Sequence, residues 1–330
     1  MSRRPAWSAI ALASWTIWAA VVTPAQLWSQ PATAERVEHP WNGVTHITRT
    51  LTSPRAVTMH VMLIDLGASG LRFKLTPPSG MRETVRQTTV AFLEAEGAQV
   101  AINGHFFLPF PSTDTEADLV GFAASEGQVY SAFEAPAQSY ALVKNSPAIN
   151  VDRQNRAMLV HRRAGDASGT AVAEPVSLWT AVAGSAQIVT AGVTTIPSYV
   201  SELLPRALLI PGGPGATIYS NANSWYGLLN ARTAIGLTAD RRTLVLMTVD
   251  RAGSSLGMSV AEVADRLVVD YAVRDALNLD GGGSTTLAME DPATHARQIV
   301  NQSSDNPAGR AVGSNLAVFA SPRPAVSNDP

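Results

Sequence analysis

The sequence predicts an α+β fold of mixed β-sheets with helices packed against them, and three observations carry that expectation. Of 330 residues, 46% are apolar and 15% charged, enough apolar material for a large core. Short apolar or alternating runs bounded by glycine and proline recur along the chain, as many short strands require. Between Thr243 and Asp280 an apolar strand, an amphipathic helix and a second strand follow one another as a βαβ unit.

Residues 1–34 read as a signal peptide. Arg3 and Arg4 supply a charged start, residues 6–22 an apolar stretch, and Ala32-Thr33-Ala34 a small-residue cleavage site. A mature chain would then begin near Glu35; the alternative is a retained anchor, because the apolar stretch approaches spanning length. No later run is long and apolar enough to cross a bilayer, so a periplasmic or secreted protein without stable membrane insertion is expected. Residues 35–320 form one domain and 321–330 a flexible tail. There is no cysteine, which excludes disulfides, a cysteine-linked lipid anchor and thiol chemistry.

Within the domain, strands are expected at 44–48 and 57–66, the latter ending in the turn Gly67-Ala68-Ser69-Gly70. Another is expected at 71–75, where apolar residues alternate up to Pro77-Pro78. Residues 88–96 read as a helix closed by Gly97, followed by a strand at 98–102 and then Asn103-Gly104-His105-Phe106-Phe107. The next hundred residues are looser, with short strands at 140–144 and 158–161 and a loop at 211–215.

Residues 243–249 are almost continuously apolar, as when both faces of a strand are covered. Ser259 with Glu262 forms a capping box, which gives Glu262 a structural role, and Val260, Val263, Ala264, Leu267, Val268 and Tyr271 recur at helical spacing. A strand follows at 276–279. A right-handed crossover would make the two strands parallel neighbours, and their C-terminal ends would carry Asp250 and Asp280 to one rim. Leu277 and Leu279 should face one side of that strand, Asn278 and Asp280 the other.

Gly281-Gly282-Gly283 and then Ser284-Thr285-Thr286 let the backbone approach a ligand and offer amide and hydroxyl donors to an anion; the plain alternative is a tight strand exit. No Gly-Lys-Ser/Thr follows, so the loop is not that of a Walker-type nucleotidase. A net charge of −2 gives no general attraction for nucleic acid, so any anion must be held locally. Six scattered histidines without a paired motif, and no EF-hand loop, predict neither metal nor other cofactor. Composition is silent on oligomeric state.

Four segments, Asn278-Leu279-Asp280-Gly281-Gly282-Gly283-Ser284-Thr285-Thr286-Leu287, Ala101 to Phe107, Arg232-Thr233-Ala234-Ile235-Gly236 and Gly309 to Val318, resemble the phosphodiester glycosidase family, which has many bacterial exported members. The resemblance runs from about Met59 to Phe319. It implies hydrolysis of a sugar joined at its anomeric carbon to a phosphodiester, in envelope or exopolysaccharide glycans, without a cofactor. A departing phosphate needs little protonation, so arginine and amide donors can replace the usual general acid, while one carboxylate acts as nucleophile or base. Asp280 is the first candidate for that carboxylate and Asp250 the second. Arg232 and Arg310 are candidate phosphate clamps, with surface ion pairs as the alternative. Asn103, Gly104, Thr233, Asn278, Gly281, Gly282, Gly283, Ser284 and Thr285 complete the expected substrate-binding set; the two asparagines could instead hold backbone. His105 departs from the family's glycine and is read either as a phosphate or proton-transfer partner or as a tolerated surface side chain. Asp250-Arg251-Ala252 departs from the family's Asp-Gly-Arg, which puts a phosphate role for Arg251 in doubt. The other readings are a non-catalytic glycan-binding protein and a glycosidase without phosphate preference.

Overall fold

A computed structural model of the chain describes residues 33–134, 143–199, 209–210 and 226–324. Most of the expected signal peptide, residues 140–142 of the expected strand at 140–144 and the loop at 211–215 lie outside the described residues. Strands dominate; the described residues contain two α-helices, α1 (Thr89–Glu96) and α2 (Val260–Tyr271). No described helix is long and apolar enough to cross a membrane.

Eight strands form the main sheet, in the order Ala34–Trp41, Val44–Leu51, Val57–Asp65, Thr243–Val249, Arg232–Thr238, Val273–Asn278, Ala186–Thr190, Val193–Thr194. A second sheet runs Arg297–Ile299, Leu287–Glu290, Val100–Asn103, Asn315–Phe319, Arg72–Leu75, and a third carries Gln128–Ser131, Ala123–Ser125, Thr180–Ala183, Ala148–Val151 and Ala157–Val160. Alternation along the main-sheet strands sorts side chains between two cores. Met62, Ile64, Leu244, Leu246, Ile235 and Leu277 face the second sheet's Val100, Ile102, Leu287 and Leu316. Met59, Val61, Val245, Met247 and Ala276 face α2 through Val260, Val263, Ala264 and Leu267. That is why residues 243–249 read as a continuous apolar run.

Each helix closes the outer face of a sheet. Helix α1 lays Phe92 and Leu93 on Ala101, Ala288 and Ala317 of the second sheet, starts at the Thr88 hydroxyl cap and ends at left-handed Gly97. Helix α2 starts at the Ser259–Glu262 capping box, and Glu262 also pairs with Arg55 at 2.6 Å, so Glu262 has the structural place its spacing indicated.

The expected parallel pairing is corrected. Thr243–Val249 and Val273–Asn278 run the same way, but Arg232–Thr238 lies between them and is antiparallel to both. Arg232–Thr238 folds back on Thr243–Val249 as a hairpin, and pattern alone does not reveal that it fills the gap. The rim survives the correction, because strands two places apart in an antiparallel sheet share a direction.

His105 is also corrected. It is 0% exposed, and burial lowers its pKa to about 4, so it is neither a surface residue nor a cation for phosphate. Nε2 lies 2.9 Å from the backbone nitrogen of Ala183 and 3.1 Å from the Phe122 carbonyl, Nδ1 lies 2.9 Å from the Ser314 hydroxyl, and the His105 N–H donates to that hydroxyl at 2.9 Å. The imidazole therefore ties the third sheet to the second. His46, buried beside His60, is likewise lowered to about 4, first by burial and then by the neighbouring imidazole.

These two histidines predict acid sensitivity. Both have folded values depressed below the 6.5 of the unfolded chain, so at lower pH the unfolded state takes up protons that the folded state refuses. They cost nothing above pH about 6.5, and their penalty grows to a few kcal/mol as pH falls toward about 4. Urea midpoints over that window should fall steeply in wild type and less so in a His46→Gln/His105→Gln variant; equal slopes would place the sensitivity elsewhere.

Candidate active site

The site forms where the ends of main-sheet strands meet the ends of second-sheet strands. Asn103, last residue of Val100–Asn103 and 0% exposed, joins them. Its Nδ2 donates to the Asp280 carbonyl at 2.7 Å, and its Oδ1 accepts from Thr233 Oγ1 at 2.9 Å and from the Thr286 N–H at 3.0 Å. The Asp280 N–H donates to the Gly104 carbonyl at 3.0 Å, and the Gly282 N–H to the Ala231 carbonyl at 2.8 Å. Asp280 thus leaves its strand held on both sides by backbone bonds.

Asp280 is partly buried as a residue. Burial of its carboxyl pushes the pKa up to about 7, against the opposing pull of the Ser284 hydroxyl, the Arg310 charge and the Gly281 N–H, which donates to Oδ1 at 3.0 Å. A carboxyl poised near neutrality beside these donors, in a residue that solvent partly reaches, can exchange a proton with substrate or water.

The glycines now have separate reasons. Gly282 adopts φ of +59°, which lets the chain turn into the short 3-10 segment Gly282–Ser284. Gly283 leaves room for Arg310: a Cβ there would stand 2.3 Å from Arg310 Nη2 and 2.7 Å from Asp305 Cβ. Arg310 extends Nη1 toward Ser284 Oγ at 3.4 Å while Nε and Nη2 bond Asp305 at 2.9 and 2.8 Å. Gly283→Ala should therefore displace the guanidinium and lower kcat/KM about ten- to a hundredfold at a stability cost of only about 1–2 kcal/mol. Steady-state kinetics beside thermal melting check this; full activity would mean that Arg310 does not contribute from this position.

The other predicted residues are buried within the framework. Thr233, Thr285 and Asn278 are at most 1% exposed, and Asn278 Nδ2 donates to Ser185 Oγ at 2.9 Å. Arg232 is not a surface ion pair: it is 1% exposed and faces α2, with Nε donating to the Met258 carbonyl at 2.9 Å and Nη2 to that of Leu228. Burial lowers its pKa to about 9. Asp250 is 1% exposed; it faces His60 Nε2 at 3.6 Å and accepts from Asn301 Nδ2 at 3.2 Å. Asn301 also donates to the Thr285 carbonyl and accepts from the Leu287 N–H, so Asp250 braces the loop from behind. Of the two predicted acidic residues, Asp280 is the one that is partly exposed.

Sequence reasoning missed Asn301, Ser314, Ser185 and Asp305. Ser314 lies inside a segment quoted for the family resemblance, but no spacing distinguishes the others. A cavity of about 1020 Å³, lined by Asn150, Asp152, Arg156, Glu174 and Arg242 among others, lies at the far end of the main-sheet strands and includes no predicted site residue. Among the described residues no group of three or more His, Asp or Glu could hold a metal ion.

The model of the phosphodiester glycosidase family matches residues 96–319. The chain belongs to this family. Known structures share its fold. The catalytic domain of zebrafish N-acetylglucosamine-1-phosphodiester alpha-N-acetylglucosaminidase, auto-inhibited by its pro-peptide, matches 88% of this chain and 85% of its own at 19% identity and a TM-score of 0.53. A protein named as exported from Burkholderia pseudomallei matches 88% of this chain and 97% of its own at 16% identity and a TM-score of 0.56. A hypothetical protein from Synechocystis matches 84% of this chain and 62% of its own at 15% identity and a TM-score of 0.51. No curated protein matches the chain in sequence. As a phosphodiester glycosidase family member, the protein is placed among glycosidase-type hydrolases.

Proposed function

We propose that the protein is an exported hydrolase that cleaves the bond between a sugar's anomeric carbon and a phosphodiester, in a cell-envelope or exopolysaccharide glycan. The observation that carries this reading is Asp280, a partly exposed residue whose carboxyl is held near pKa 7 beside the Gly281 amide, the Ser284 hydroxyl and Arg310. Water adds to the anomeric carbon, the bond from that carbon to the phosphate oxygen breaks, and free sugar and a phosphomonoester depart. Asp280, ionised, acts on the anomeric carbon directly or removes a proton from the attacking water. Arg310 faces the departing phosphate, which as a weak base needs charge stabilisation more than protonation, and the buried Ser284 hydroxyl stands between Arg310 and Asp280. Asn103, Thr233, Thr285, Asn301 and Asp250 keep that arrangement in place.

Export is supported by the charged and apolar N-terminal pattern and by the name of the Burkholderia protein of the same fold, which describes it as exported. The test is a panel of hexose and N-acetylhexosamine 1-phosphate diesters with matched aryl glycosides, scored for free reducing sugar. Release from diesters alone supports the reading; equal cleavage of aryl glycosides would remove the phosphate role of Arg310, and cleavage of neither would leave a binding protein.

A further inference from the structure

Next to the proposed phosphate position stands a ring that the reaction itself does not need. Phe110 is 48% exposed. Single exposed apolar residues are ordinary on protein surfaces, but this one is held in place. The Arg310 guanidinium lies against its ring with Cζ 4.8 Å from the centroid, and Phe107 meets it edge-on at 5.7 Å with an interplanar angle of 73°. Its chain neighbour is pinned as well: Arg86 Nη2 donates to the Pro109 carbonyl at 2.6 Å and Nε to the Glu116 carbonyl at 3.0 Å.

The contacts define an order: carboxyl of Asp280, hydroxyl of Ser284, guanidinium of Arg310, ring of Phe110. A glycosyl phosphodiester has a matching order of anomeric carbon, phosphate and the second alcohol. If Asp280 meets the first and Arg310 the second, Phe110 stands where the third begins. From this order, and resting on the function proposed above, we propose that Phe110 binds the departing alcohol and selects diesters whose alcohol presents an apolar face. A sugar's C–H face and an alkyl chain both satisfy that chemistry, since each can cover the electron-rich face of an aromatic ring.

The experiment compares methyl, octyl and glucos-6-yl diesters of whichever sugar 1-phosphate the panel above shows to be cleaved. In wild type kcat/KM should be about tenfold higher for at least one large alcohol than for methyl. Preference for octyl identifies an alkyl group, preference for glucosyl a sugar face. In Phe110→Ala the large-to-methyl ratio should fall to about one, whereas Phe110→Trp should keep it. Because the readout is a ratio within one preparation, partial unfolding does not mimic the effect. A ratio that survives in Phe110→Ala, or a wild type that cleaves all three equally, overturns this inference and leaves the proposed function standing. A wild type that cleaves no diester overturns both.

Discussion

Asp280→Asn should lower kcat on the cleaved diester by about a thousandfold while the protein still folds. The amide keeps the size of the side chain and can still accept from the Gly281 N–H, but it carries no charge to meet the anomeric carbon and takes no proton from water. The wild-type pH profile gives an independent check: kcat/KM should rise through pH about 7 and level off, because the ionised carboxyl is the active form. Stability should show the opposite trend at this residue. With a folded value raised to about 7 from 3.8, the folded state holds the proton more tightly than the unfolded chain. The resulting penalty is absent below pH about 4 and complete above pH about 7. Asp280→Asn escapes that penalty, so it should melt higher than wild type at pH about 8 and show no such gain at pH about 4. A variant that retains kcat would remove Asp280 from the chemistry; one that loses kcat without gaining stability at high pH would mean that the carboxyl is not held near 7.

Much of this arrangement is legible along the chain, and what is not has identifiable causes. Capping boxes, left-handed glycines and two-sided apolar strands are local, so α1, α2 and Thr243–Val249 follow from a few adjacent residues. The rim carrying Asp280 is legible because strand direction needs only the helix between two strands. Which strand lies between them is set by pairing at a distance, and Arg232–Thr238 takes that place through a hairpin whose residues look like any other apolar strand. Burial produces the same blindness at the site. An asparagine, histidine or arginine beside a glycine turn reads as a ligand contact, yet Asn103, His105 and Arg232 all bond backbone in the interior. Nothing local distinguishes a polar residue that faces a ligand from one that satisfies a second sheet, because the second sheet comes from elsewhere in the chain.

That distinction makes Asn103 the most informative buried position. Asn103→Ala removes one donor and one acceptor together and leaves the Asp280 carbonyl and the Thr286 N–H without their partner inside the protein. Each unmet group costs about 1–3 kcal/mol, so a loss of about 3–5 kcal/mol in urea unfolding at constant m is expected. Asn103→Asp should be no better, because it retains an acceptor for Thr233 and Thr286 but turns an oxygen toward the Asp280 carbonyl and buries a charge. Kinetics at a temperature where the variant remains folded separate two roles. If the hydrogen bond to Asp280 sets the position of the reacting carboxyl, kcat should fall about ten- to a hundredfold with KM little changed, since a displacement of about 1 Å is enough to cost that much. Stability lost with kcat retained would show that Asn103 joins the sheets without aiming the carboxyl, and that Asp280 is held by its own backbone bond to Gly104 and by the amide of Gly281.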